Sequence, residues 1–177
     1  MKRMPDFADA CSRVEDHLWR EYRIRVITRN VPDPSTGDLD GAEIHIDFEV
    51  DDELRLFLLA HLFGHTVQWN ASPRSFELGR PHTPPVREEL IAELVEYERE
   101  AARYGLSLLR DAGIMHLDQW FSDFTACDMD YLANYYRTGV SGHFREFWND
   151  GAELMTPATI PEFVPAKRVF RLDGIVI

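Results

Sequence analysis

His61 and His65 stand four residues apart in the run HLFGH, inside an apolar stretch from Leu54 to Trp69 whose one breaker is Gly64. On a helix this spacing projects both imidazoles from one face, one turn apart, the geometry in which two histidines share a metal ion. In such apolar surroundings the rings also need partners if they are buried, because an unpaired polar group is costly away from water. Gln68 lies on the same face and either bonds a ligand or one of the histidines, or faces water at the helix end. A glycine inside a helix costs about 1 kcal/mol relative to alanine. Gly64 therefore predicts close approach of another backbone at that point.

The next segment supplies carboxylates. Glu93, Glu96 and Glu100 fall at i, i+3 and i+7, so they share one helix face. A member that entered the site would act as ligand, as partner to a ligand or as general base, with Glu93 and Glu96 the catalytic candidates. The alternative is a solvated acidic face. His82, in the proline-rich stretch between the two helices, is placed to close over the site or to remain a surface histidine. His45, on a polar-alternating strand, reads as a solvent-facing residue.

The elements that must position these groups follow from periodicity. Phe7, Ala10, Cys11, Val14, Leu18 and Tyr22 recur every three or four residues and predict an amphipathic helix from Pro5 to Tyr22. Arg23 to Arg29 and Ala42 to Val50 alternate and predict half-buried strands, separated by the breakers Pro32, Pro34 and Gly37. Polar Glu43, His45, Asp47 and Glu49 would then face water or line a groove. Asp51 or Asp52 caps the histidine helix. Asn70 to Val86, with Pro73, Pro81, Pro84 and Pro85, reads as a loop, and helices resume from Val86 to Arg110 and from His116 to Tyr136. Trp120, Phe121, Phe124, Tyr131, Tyr135 and Tyr136 read first as core and second as a groove wall. The segment 156–177 reads as extended, with Val169, Phe170 and Leu172 suited to a surface strap or a sheet edge.

The HxxGH spacing after an apolar run and a strand resembles the zincin metallopeptidases, in particular the ImmA/IrrE family, whose helix reads HExGH. The following EREAARYGLSLL, Glu98 to Leu109, is similar to that family's acidic, alanine and leucine pattern, so the resemblance spans Ala42 to Leu109. It implies a zincin-like fold, a zinc ion and Glu100 as third ligand beside His61 and His65. It also implies a regulatory, repressor-like protein or peptide as partner. Leu62 occupies the position of the glutamate that activates water in the family. Leucine can neither take a proton nor ligate, and a positioned acid or base is worth roughly 10² to 10⁴ in rate. The metal ligands do not include that glutamate, so metal binding can persist without it.

At 177 residues, 45% of them hydrophobic, the chain suits one α+β domain, residues 1–177: a small, mostly antiparallel sheet on a helix-rich body. Its formal charge of −12 opposes contact with phosphate backbones, which excludes a nucleic-acid partner from the expected functions. No apolar run approaches the roughly 18 residues of a membrane span. MKRMPDFADACS lacks the apolar core of a secretory signal, making the cytoplasm the expected compartment. Cys11 and Cys127 read as reduced, buried thiols. Three functions remain open: a zincin-derived binding or sensing module that keeps its metal, a metal-dependent hydrolase with a relocated base, and a metal-free interaction domain.

Overall fold

The computed structural model describes residues 6–168. Helix α1, Phe7–His17, is capped by the Asp6 carboxylate, which accepts from Asp9 N at 3.0 Å. Its apolar stripe Ala10, Cys11 and Val14 is buried. The predicted last turn is wound more widely, as a π-helical turn Leu18–Tyr22 that ends at Arg23 with φ +58°. Leu18 is buried there and Tyr22 packs on Phe63, with ring centroids 4.9 Å apart.

Three short strands follow: β1 Arg25–Arg29, β2 Gly37–Leu39 and β3 Glu43–Asp47, in the order β1-β3-β2. β2 runs antiparallel to β3, and β1 runs parallel to it from Arg25↔Glu43 to Arg29↔Asp47. The sheet is mixed, which corrects the expectation of a mostly antiparallel one. The connection containing Pro32 and Pro34 carries the chain past β3, and the chain then hairpins through Gly41, φ +91°. Each strand therefore pairs with β3 from a different side. β2 itself arose within the segment expected only to break the chain. On β3, Ile44 and Ile46 are buried as alternation predicts. Asp47 is buried as well, its carboxylate accepting from Val31 N and Glu49 N at 2.8 and 2.9 Å.

Helix α2, Asp52–Ala71, is the centre of the molecule. The Asp51 side chain caps it by accepting from Leu54 N at 2.8 Å, and every residue from Leu56 to Trp69 is buried. A helix apolar on all sides must be covered on all sides. The sheet, α1 and α4 (Glu88–Asp111) do this, with α5 (Asp118–Thr138) packed on α4. Part of the stretch expected as loop is helical instead: α3, Pro73–Leu78. Ser72 caps it and Pro73 starts it, a helix-initiation signal in which proline's missing N–H costs nothing.

After a short 3₁₀ turn, Phe144–Phe147, the chain has no regular element through residue 168. It runs along α4, where Arg103 Nε donates to Thr156 O and Ser107 Oγ to Ala158 O at 2.9 and 2.6 Å. Ala166 N then donates to Asn70 Oδ1 at 3.1 Å. Over this length the tail, expected as extended, forms no helix or strand. Val169, Phe170 and Leu172 lie outside the described residues. Both cysteines are buried free thiols, and the architecture is α+β with helix dominant. No helix among the described residues is long and apolar enough to cross a membrane.

Candidate metal centre

The crossing of α2 and α4 builds the site. A Cβ at Gly64 would lie 2.0 Å from Ala101 O, and one at Gly105 would lie 2.6 Å from Ala60 O. The glycines thus let the two backbones touch, as Gly64 in the sequence implies. With the axes this close, a side chain on α4 next to Ala101 reaches the histidines directly. Glu98, one turn before Ala101, is that side chain.

His61 and His65 are 1% and 2% exposed, with their Nε2 atoms 3.1 Å apart. Glu98 Oε2 lies 3.0 Å from His65 Nε2 and 3.4 Å from His61 Nε2. The carboxylate beside the histidines is therefore Glu98, which corrects the assignment of Glu100 as third ligand. The physical reason is helical phase. Glu98 falls on the stripe Ile91, Leu94, Ala101 and Gly105 that faces α2, whereas Glu100 is two residues further and lies on the flank. Glu93 and Glu96 point to the surface, paired with Arg74 and Arg99. Neither catalytic candidate reaches the histidines.

Glu100 holds a neighbouring role. Its carboxylate accepts from Gln68 Nε2 at 2.7 Å, and Tyr97 O accepts from the same nitrogen at 2.9 Å. With the amide nitrogen fixed between two acceptors, Gln68 must turn Oε1 toward His65 Nδ1, 2.9 Å away. His65 Nδ1 then carries a hydrogen toward Gln68, and the ring's other nitrogen, Nε2, is turned to the centre beside Glu98 and His61. Tyr97 stacks on the His65 ring at 4.6 Å, and Phe57 stacks on His61 at 5.2 Å. Of the readings open for Gln68, a helix-end residue facing water is set aside: it is buried against His65. His82 instead bonds Leu78 O at 3.0 Å and packs edge-on to Tyr136.

The electrostatics suit a cation. Burial, then the neighbouring His65, pushes His61 down to about 3 against the opposing pull of Glu98, so His61 is neutral at pH 7. Burial pushes Glu98 up, but the charge and hydrogen bond of His65, followed by His61, outweigh it and hold this carboxyl below its usual range. A neutral imidazole and an ionised carboxylate are the forms that bind metals. Ligands about 2.0 to 2.1 Å from a tetrahedral ion lie roughly 3.3 Å from one another. The observed edges of 3.0, 3.1 and 3.4 Å match that triangle. His61, His65 and Glu98 therefore form a donor set that could hold a metal ion.

Leu62 is wholly buried against the sheet, its Cδ1 3.0 Å from where a Cβ on Gly37 would lie. The position is filled by core packing. A residue that sequence reasoning missed lies nearby: Asp128 on α5, only 9% exposed. Burial, with Glu98 adding to it, raises its carboxyl well above the usual range. Its signal was a carboxylate on the buried stripe Phe121, Phe124 and Asp128, at i, i+3 and i+7, just as Glu98 was a charge on the buried stripe of α4. Compared with protein-family models, curated proteins and solved structures, the chain matches none, and the reading of this site rests on its own geometry.

Proposed function

We propose that this protein is a divergent zincin-like module that binds one divalent transition metal, zinc in the first place, through His61, His65 and Glu98. The observation that carries the reading is the convergence of three buried acceptor atoms at tetrahedral spacing. With Nδ1 of His65 protonated toward Gln68, the ring's other nitrogen faces a carboxylate oxygen and a second imidazole nitrogen. Lone pairs facing one another repel unless a proton or a metal ion sits between them. Glu100 and Gln68 orient His65 and fix its tautomer, and Phe57 and Tyr97 hold the rings in place. When bound, the ion supplies charge and Lewis acidity.

The module acts by binding, with a regulatory protein or peptide as partner, and lacks standard peptidase activity. Support comes from Leu62, packed into the core where the family's base stands, and from Glu93 and Glu96, engaged with arginines on the surface. A chain of charge −12 is unsuited to nucleic acid. Elemental analysis of protein purified without chelator tests the reading. About one zinc per chain is expected, lost in the His61→Ala, His65→Ala double variant. Metal-free wild type that also fails to take up added zinc would overturn the metal centre. Proteolysis of a protein substrate that disappears with His61→Ala would overturn the non-catalytic part.

A further inference from the structure

Between the N-terminal half of α2 and α5 lies a cleft of about 440 Å³, within the size range of small-ligand pockets, roughly 300 to 1,000 Å³. Phe57, Phe124, Tyr131 and Phe144 give it aromatic walls. Three carboxyl groups line it, and two are engaged within the protein. Asp51 caps α2, and Glu53 accepts from Trp120 Nε1 at 2.9 Å and from Arg145 Nη2 at 3.0 Å. The third, Asp128, is nine-tenths buried and lines the cleft; no hydrogen bond from another described residue reaches its carboxyl, which is not fully enclosed. A buried carboxyl without a donor is expensive unless something else pairs with it.

We propose that this cleft is a binding site for an ammonium group on an apolar stem, with Asp128 as its counter-ion and the aromatic rings around its body. The lining chemistry selects this class. Acidic groups outnumber the single guanidinium of Arg145, which is already committed to Glu53 and lies over the faces of Phe124 and Trp148 at 5.6 and 4.6 Å. That contact already places a positive group over the Phe124 ring, whose quadrupole attracts such charge. An anion would meet Asp128 unpaired, and a neutral apolar body would leave it so. The ligand is either a free organic amine or a lysine side chain of a peptide. The site does not depend on the metal reading: Asp128 is outside the donor set of His61, His65 and Glu98.

The test is a calorimetric titration with 2-phenylethylammonium, with 2-phenylethanol as its neutral counterpart, on metal-free and zinc-loaded full-length protein. Amide chemical shifts report where each compound binds. The amine is expected to perturb Phe57, Asp128 and Tyr131 in both forms, about tenfold or more tightly than the alcohol, because a charge-assisted bond is at stake. Asp128→Asn, nearly the same in shape, should fold normally and lose a similar factor. A peptide with an internal lysine that binds more tightly than the free amine identifies a protein partner, and weaker binding identifies a small amine. Equal binding of amine and alcohol, unchanged affinity in Asp128→Asn, or no perturbation at the cleft would overturn the proposal, whatever the zinc content.

Discussion

Asp40, Glu43 and His45, at the β2–β3 hairpin, and His61, His65 and Glu98, between α2 and α4, each bring three ligand atoms within 4.8 Å of one another. At the hairpin the protein supplies its own positive charge. Lys167 Nζ lies 3.6 Å from both Asp40 and Glu43, Arg25 stands 3.7 Å from Glu43, and the amides of Ala42 and Glu43 donate to Asp40. His45 has Asp38 on its Nδ1. Among the described residues, no lysine or arginine pairs with the group around His61. Proximity of histidine and carboxylate is thus shared by the two places, and what separates them is whether the lone pairs already have a cation. The first cluster is complete as it stands; the second has a place for one.

Replacing the two carboxylates in parallel gives the largest expected contrast. Glu98→Gln should weaken zinc binding by at least about 100-fold, read by competition with a chromophoric chelator, because it removes a ligand of the proposed donor set. Glu43→Gln should leave zinc stoichiometry unchanged, and equal losses would erase the distinction. Gly64→Ala attacks the crossing that brings Glu98 to the histidines. A Cβ 2.0 Å from Ala101 O must push the helices apart, costing about 2 to 3 kcal/mol or more, or roughly 5 to 10 °C in Tm. Zinc affinity should fall with it, and an unchanged melting temperature would argue against so close a contact.

Smaller effects sharpen the comparison. Glu100→Ala releases Gln68 and the orientation of His65 while leaving the ligands in place, so a zinc affinity loss of about tenfold is expected. A loss as great as that of Glu98→Gln would make Glu100 a ligand after all. Asp128 allows a check by pH. Its folded carboxyl is raised above the unfolded value, so its contribution to stability is complete below about 3.8 and is lost as pH rises toward the folded value. Asp128→Asn should therefore gain in Tm relative to wild type as pH is raised from 4 to 8, and a constant difference would refute the assignment. Lys167→Ala, at an exposed ion pair, should change stability by no more than about 1 kcal/mol. If the hairpin then took up zinc, the contrast between the clusters would collapse.

Much of the frame was legible from pattern. The stripe of α1, the alternation of β3 and the cap at Asp51 predicted their elements because each states its own periodicity or end signal. The histidine pair and the close approach at Gly64 were legible for the same reason: one helical turn and one missing side chain are local facts. The parallel pairing of β1 was not, since neither strand records which side of β3 it will take. Ser72-Pro73 carried a start signal for α3 that the later prolines obscured.

The choice among the glutamates marks the boundary. Sequence by itself determined that α4 carries carboxylates on more than one face, that α2 offers two imidazoles, and that Leu62 cannot act as a base. Only the tertiary structure decided which carboxylate meets them. The crossing of α2 and α4 at Gly64 and Gly105 fixes the rotation of α4, and residues two apart on a helix point roughly 200° apart. That rotation puts Glu98 beside the two histidines and leaves Glu100 to steady Gln68. Asp128 became visible as an unpaired group for the same reason: a partner's absence is a property of the assembled fold.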